Sequence, residues 1–279
     1  MTTTLRPSGP EERRADGART RAYDICVNSR PVGLVELSTD GRAGPVAGRI
    51  VRLSVDRGER RRGRGTVAAL AAEEVLRGWG CRRVEASVAE GAVPAQRLAE
   101  ALGYLPRSRN MLKDLTGEPP ELPRGSVVRT MTDAEFDVWR SRDRDVQIRL
   151  LTARGVTREE AAAQAAAAHR SHLPDGPSTA GAALRVLEHE GEPVGTLWVT
   201  PASAPREDAD AWVYGVETAE ERRGEGHGRT LLLAAEREAH AAGSRVLGLN
   251  VHSDNVPALG LYSSLGYRTV EHHLYKTLL

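Results

Sequence analysis

Residues 211–243 read AWVYGVETAEERRGEGHGRTLLLAAEREAHAAG, and this stretch decides the fold. Ala211–Thr218 has the aromatic and β-branched content of a strand. Arg223-Gly224-Glu225-Gly226-His227-Gly228-Arg229 follows, and Arg229–Ala242 is then a helix rich in Ala, Leu and Glu that Gly243 stops. Strand, glycine turn, helix is an arrangement that can hold a phosphate. Glycine lets the backbone turn tightly and approach a ligand, and the helix N-terminus supplies free N–H groups and a positive dipole end. Arg223 and Arg229 can add charge-assisted bonds. A glycine triplet by itself also describes a flexible surface turn. A dinucleotide-binding fold would place the turn after the first strand of its unit, and a Walker loop needs Gly-Lys-Ser/Thr; neither holds here.

Outward from this stretch, the chain repeats itself. Pro31-Val32-Gly33 recurs as Pro193-Val194-Gly195 at an offset of 162. Arg62-Gly63-Arg64-Gly65 recurs as Arg223-Gly224-Glu225-Gly226 at 161, and Leu102-Gly103-Tyr104 as Leu265-Gly266-Tyr267 at 163. Lys113 falls on Lys276, also at 163. Four marks in one order indicate one domain written twice, with a period too long for a solenoid. Each copy reads as a hairpin, a further strand, the glycine turn and its helix, a strand, a short helix and a closing strand. The second copy has an added start: a strand at Ser126–Thr130 and helices at Asp133–Leu151 and Thr157–His172, the latter opened by a Thr157/Glu160 capping box. The expected organisation is a disordered tail (1–21), a shortened copy (22–115), a proline-rich linker (116–125) and a complete copy (126–279). The fold class is α/β in the α+β sense, each copy a mixed, mostly antiparallel sheet flanked by helices.

Composition narrows the class of function. The chain has 279 residues and a formal net charge of +1, which argues against a globally basic nucleic-acid surface. Residues 1–121 carry 21 basic and 16 acidic residues, and residues 122–279 carry 18 and 22, so a basic first copy precedes an acidic second one. Attraction between such halves would favour docking, and the acidic surplus a cationic acceptor. Two cysteines, Cys26 and Cys81, cannot form a disulfide framework and fit a reducing cytoplasm. The polar first residues lack the apolar core of a signal peptide, and no run reaches the ~18 apolar residues of a membrane span. No histidine has a trustworthy metal-ligand spacing, so no metal is expected.

The constellation resembles the GNAT superfamily of N-acetyltransferases, whose mark is Arg/Gln-x-x-Gly-x-Gly/Ala at the start of the main helix. Arg223, Gly226 and Gly228 match it, and the family's later Asn, Ala and Leu-Tyr-x-x-Leu-Gly-Phe/Tyr match Asn255, Ala258 and Leu261-Tyr262-Ser263-Ser264-Leu265-Gly266-Tyr267. The resemblance implies two tandem GNAT-like domains, an acetyl-CoA cosubstrate, and transfer of its acetyl group to an amine. The backbone of Gly224, Glu225, Gly226, His227, Gly228 and Arg229 would hold the pyrophosphate. Val216 and Thr218 would line the pantetheine arm, and an N–H near Thr218 would face the acetyl carbonyl.

Tyr262 is the candidate general acid for the leaving thiolate, the alternative being a half-buried helix aromatic. Asn255 either holds the pantetheine or caps the next helix. Glu217 is a candidate base or a solvated carboxylate, and Tyr214 could position a water instead. Glu225 is expected to point outward and His227 to be an exposed spacer. In the first copy Ala99 and Ala92 replace Tyr262 and Asn255, and Val67 is expected where Gly228 stands, so that copy reads as degenerate and non-catalytic. The expected partner is a small-molecule amine, with resistance or self-protection as one context, and no nucleic acid or membrane. The chain would be a monomer with an internal pseudo-dimer, or a homodimer. The alternatives are a non-catalytic acyl-CoA sensor and a protein N-acetyltransferase.

Overall fold

Residues 2–15, 17–39, 47–153 and 156–278 are described by the computed structural model of the protein. Met1 and Asp16 of the expected tail, residues 40–46 of the first copy, and Leu279 lie outside them. The chain forms two compact units, one of residues 1–108, 154–160 and 271–279, the other of 109–153 and 161–270.

Unit 1 begins with a strand where the sequence reading has a disordered tail. β1 (Thr3–Pro7) runs antiparallel to β3 (Arg19–Val27), Thr3 facing Val27 and Pro7 facing Tyr23. Leu5 packs against the core, so a single apolar residue in a polar segment suffices once a strand edge offers a ladder. β2 (Glu12–Arg13) also pairs with β3. β4 (Arg30–Thr39), β5 (Ala47–Val55) and β6 (Arg83–Ala89) continue the sheet, with β5 and β6 parallel. Helices α1 (Arg64–Gly78) and α2 (Val93–Ala101) complete the copy's pattern, and Ala68, Ala72, Leu76 and Ala99 join Ile25, Val32, Val35 and Leu37 in the core.

Across the sheet of unit 2 the order is β7 (Leu105–Asp114), β12 (Val246–His252), β11 (Ala211–Thr218), β10 (Glu192–Thr200), β9 (Ala183–His189) and β8 (Ser126–Thr130). β8 (Ser126–Thr130) pairs antiparallel with β9 (Ala183–His189), as β1 does with β3. β10 (Glu192–Thr200) and β11 (Ala211–Thr218) follow, and β12 (Val246–His252) lies parallel to β11. On one face, α5 (His227–Ala241) and α6 (Val256–Ser264) pack on Leu187, Leu197, Val199 and Leu249. On the other lie α3 (Asp133–Ala153) and α4 (Arg158–His172), whose Phe136, Trp139 and Leu173 meet Leu184, Val186 and Trp198. α3 opens with a capping box: Glu135 N–H donates to Thr132 Oγ1 at 3.3 Å, and Thr132 N–H to Glu135 Oε2 at 2.9 Å. The predicted Thr157/Glu160 box opens α4 in the same manner.

The closing strands depart from the sequence expectation. Each copy was expected to end with its own last strand, but the two strands are exchanged. Residues 109–114 of β7 (Leu105–Asp114) lie beside β12 in unit 2, and Met111 is 2% exposed in that unit's core. Residues 271–277 of β13 (Arg268–Thr277) pair antiparallel with β6 in unit 1, where Leu278 is buried. Lys113 Nζ lies 2.6 Å from Glu236 Oε1 on α5, and Lys276 Nζ 2.7 Å from Glu73 Oε2 on α1. Each ammonium also sits 5.8 Å from a ring centroid, Tyr267 and Tyr104 respectively. These are the chain's only lysines. Each comes from one copy and neutralises a buried glutamate of the other, so pulling either strand away would leave a carboxylate buried without its cation.

Candidate active site

The site grows from the way β11 leaves its neighbour. Ala211, Trp212 and Val213 pair with Leu247, Gly248 and Leu249, and the pairing stops there. Tyr214 sits at a bulge against β10, and from Gly215 to Thr218 the strand has only its β10 partner among the described residues, so its other edge offers unpaired amides and carbonyls. Gly195 permits the close β10–β11 pairing here: a Cβ there would lie 2.5 Å from the Glu217 carbonyl oxygen.

The strand leads to the glycine turn. A 3-10 turn over Glu220–Arg222 and an extended Arg223 bring the chain to Gly224 and Gly226, with φ of 86° and 90°. Gly226 is the N-cap of α5 and has no side chain to offer as a cap. The amides of Gly224, Glu225, Gly226, His227 and Gly228 donate no hydrogen bond among the described residues, as an anion cradle requires. Gly228 serves close packing: a Cβ there would meet Leu261 at 3.3 Å and the Thr218 hydroxyl at 3.7 Å. Turn, strand end and α6 therefore meet at this residue.

The other predicted residues fall as follows. Val216 and Tyr262 pack against the same core on the α5–α6 face. Burial raises the Tyr262 phenol above its usual pKa, which keeps its proton in place at neutral pH. Asn255 is the N-cap of α6 and its Oδ1 accepts from Ala258 N–H at 3.2 Å, so the capping reading describes its carbonyl oxygen. Arg223 is exposed, with Glu220 at 4.0 Å. Arg229 donates to Ser264 Oγ at 2.6 Å. Glu225 points away from the cradle and accepts from Arg222 at 2.9 Å; that bond, ahead of a weaker one from His227, lowers its pKa. His227 is no exposed spacer. It is 4% exposed, and its ring lies 5.1 Å from that of His189 on β9, because the first residue of α5 turns its side chain back onto the sheet.

Glu217 faces the opposite side of β11 from Val216. It lines a cavity of about 530 Å³ under α3, together with Glu135, Val138, Trp139, Arg142 and Thr196. Tyr214 lies on this side too, stacked on Trp198 with centroids 4.7 Å apart and flanked by His172 at 5.5 Å. Sequence reasoning missed Trp139, Trp198 and His172. Two of the chain's four tryptophans meeting there, 5.7 Å apart, is a signal that scarcity alone could have raised.

The turn of unit 1 corrects the repeat. Its 3-10 turn, Arg57–Glu59, and the start of α1 at Arg64 lie 163 residues before their counterparts, not 161. The positive φ values agree: Arg61 at 59° and Gly63 at 74° correspond to Gly224 and Gly226. Arg60, Gly63 and Gly65 therefore stand where Arg223, Gly226 and Gly228 stand. Val67 lies further into α1 and is 41% exposed, so it crowds nothing at the turn. The repeated Arg-Gly pairs of 62–65 mimic the motif two residues out of register. Ala92 and Ala99 keep their assignments, being the N-cap of α2 and a buried residue of that helix.

Strand split, glycine cradle and capped short helix come together in unit 2. An Acetyltransferase (GNAT) family model matches residues 3–104 and 152–267, and the chain belongs to that family. It is an acyltransferase of a family whose cosubstrate is acetyl-CoA. It is 29% identical over 285 residues to a mycothiol acetyltransferase of Saccharomonospora viridis, covering 96% of this chain and 86% of that one. Among solved structures, a GCN5-related N-acetyltransferase from Sphaerobacter thermophilus shares the fold with a TM-score of 0.60 at 20% identity, covering 92% of this chain and 80% of that one. A tandem GNAT protein from the clavulanic acid biosynthesis pathway does so with 0.53 at 22%, covering 94% and 84%. Among the described residues no helix is long and apolar enough to cross a membrane, and no three His, Cys, Asp or Glu side chains gather as a metal site.

Proposed function

We propose that unit 2 transfers the acetyl group of acetyl-CoA to the amine of a small molecule by direct attack. The observation that carries this is the parting of β11 from β12 after Val213, which leads an unpaired strand edge to a cradle of free amides. The pyrophosphate would lie on the amides from Gly224 to Gly228 and the pantetheine along Val216–Thr218. A neutral amine attacks the acetyl carbon, the C–N bond forms as the C–S bond breaks, the nitrogen gives up its extra proton to solvent, and an amide and the free coenzyme thiol result. Strand N–H groups near Thr218 stabilise the charge that develops on the carbonyl oxygen. Tyr262 donates its proton to the departing sulfur and recovers one from solvent. Glu217 accepts the ammonium proton from the α3 side, directly or through a water.

The cavity beside Glu217 suits a small acceptor, and the relative from Saccharomonospora viridis is named for mycothiol, not for a protein. Unit 1 keeps the turn but has Ala99 and Ala92 in place of the acid and the cap, so in this reading it performs no transfer. Thiol release from acetyl-CoA, followed across a panel of amines, tests the proposal. Tyr262→Phe should lower kcat by about 10²-fold or more. Coenzyme binding without turnover of any amine would favour the sensor reading instead.

A further inference from the structure

The helix pair α3–α4 is what unit 2 has and unit 1 lacks, and α3 roofs the cavity beside Glu217. Met131, at the entry to α3, and Ala134, Glu135, Val138, Trp139 and Arg142 within it recur at three- and four-residue spacing on the side that lines this cavity. Strand residues Val186, Thr196 and Glu217 form the opposite wall, with Glu221 just beyond β11. The cavity's size is that of a small-molecule site.

Its charges are not equivalent. Glu135 is already neutralised, since Arg129 donates to both its oxygens at 2.7 and 2.8 Å. The side chains of Arg142 on the helix wall and of Glu217 and Glu221 on the strand side make no hydrogen bond or ion pair among the described residues. A cation and carboxylates that face one cavity from different walls without pairing are available to opposite ends of one ligand. Val138, Trp139 and Val186 give the same cavity apolar lining.

We propose that the acceptor of unit 2 is a bipolar amine. Its ammonium end is received by Glu217, its carboxylate end by the guanidinium fork of Arg142, and its apolar middle lies along Val138 and Trp139. This rests on the reading of β11 as the acetyl-transferring strand, which makes the Glu217 end the reacting end. Arg142 is then a specificity-determining residue that selects acceptors without taking part in bond making.

The test uses tryptophan fluorescence of the full chain, since Trp139 forms part of the wall. The probes are 6-aminohexanoate, hexylamine, hexanoate and 1,6-diaminohexane, titrated without coenzyme. The expected result is that 6-aminohexanoate binds about tenfold more tightly than hexylamine or hexanoate, the scale of one charge-assisted hydrogen bond. Arg142→Ala should erase its advantage over hexylamine, and Glu217→Gln its advantage over hexanoate. Equal or tighter binding of the diamine, equal binding of all four probes, or no fluorescence change with any of them overturns the proposal. Thiol release assayed in parallel separates the two readings. Selective binding of 6-aminohexanoate with no acetyl transfer defeats only the enzymatic reading, whereas transfer to hexylamine as efficient as to 6-aminohexanoate defeats only the bipolar acceptor.

Discussion

Replacing Lys113 with Met should destabilise the protein far more than a surface lysine would. The Glu236 side chain is 5% exposed and that of Lys113 21%, with 2.6 Å between the charged atoms. Removing the ammonium leaves a carboxylate buried on α5 without its cation, and such a loss is worth about 3–5 kcal/mol. Because Lys113 itself keeps some contact with water, the low end, about 3 kcal/mol, is expected. With a urea m-value of about 3 kcal/mol/M for a chain of this size, the midpoint should fall by about 1 M. Glu236→Leu alone should cost a similar amount, since it strands the lysine. The double variant, Lys113→Met with Glu236→Leu, removes both charges and should recover most of the loss, giving a coupling energy of about 2 kcal/mol or more. The assay is urea unfolding followed by circular dichroism for the four proteins of the cycle. Single losses under about 1 kcal/mol, or a double variant as unstable as the sum of the singles, would refute the claim that this pair holds the exchanged strand in place. The same cycle on Lys276 and Glu73, 2.7 Å apart, should give the same pattern.

Three further outcomes are expected. Gly228→Val should abolish turnover by crowding Leu261 and Thr218, while Gly65→Val in unit 1 should leave turnover intact, as read by thiol release. Glu135 has its pKa lowered to about 2, first by the Arg129 hydrogen bonds and then by the Thr132 amide. A depressed carboxylate stabilises the fold above its unfolded value, about 4.3, and that stability is lost as pH falls from there towards 2. Acid titration watched through Trp139 fluorescence should therefore show α3 loosening in this window, and Glu135→Gln should remove that limb. Cys26 and Cys81 are buried, and burial pushes the Cys81 thiol up to about 11, so a thiol reagent at pH 8 should label neither until the chain unfolds.

Much of the fold was legible because its signals are local. Strand Ser126–Thr130, the Thr157/Glu160 box, and the glycines that end α5 and the short helices are each written within a few neighbouring residues, whereas α1 runs through Gly78 and turns at Gly80. The turn was legible as a glycine pattern, but its register in the first copy was not. Arg62-Gly63-Arg64-Gly65 looks like the motif in letters, whereas the backbone places the left-handed residues at Arg61 and Gly63. Letter matching cannot weigh φ angles, and here an arginine occupies a position that glycine fills in the other copy. β1 escaped notice because an edge strand of mostly polar residues has little periodicity and draws its stability from a ladder partner some twenty residues away.

By itself, then, the sequence determined that one domain is written twice, that the second copy keeps Tyr262, the Asn255 cap and a turn with glycines at 224, 226 and 228, and that two helices were added to its start. These follow from short-range chemistry: propensity, capping and the conformational demands of glycine. Tertiary structure alone decided which sheet each closing strand completes, that His227 is buried, and that Glu217 and Arg142 face one cavity. A strand has the same alternation whichever edge it joins. The result shows only in long-range contacts, Met111 entering one core, Leu278 the other, and each lysine reaching a glutamate far from it in the chain.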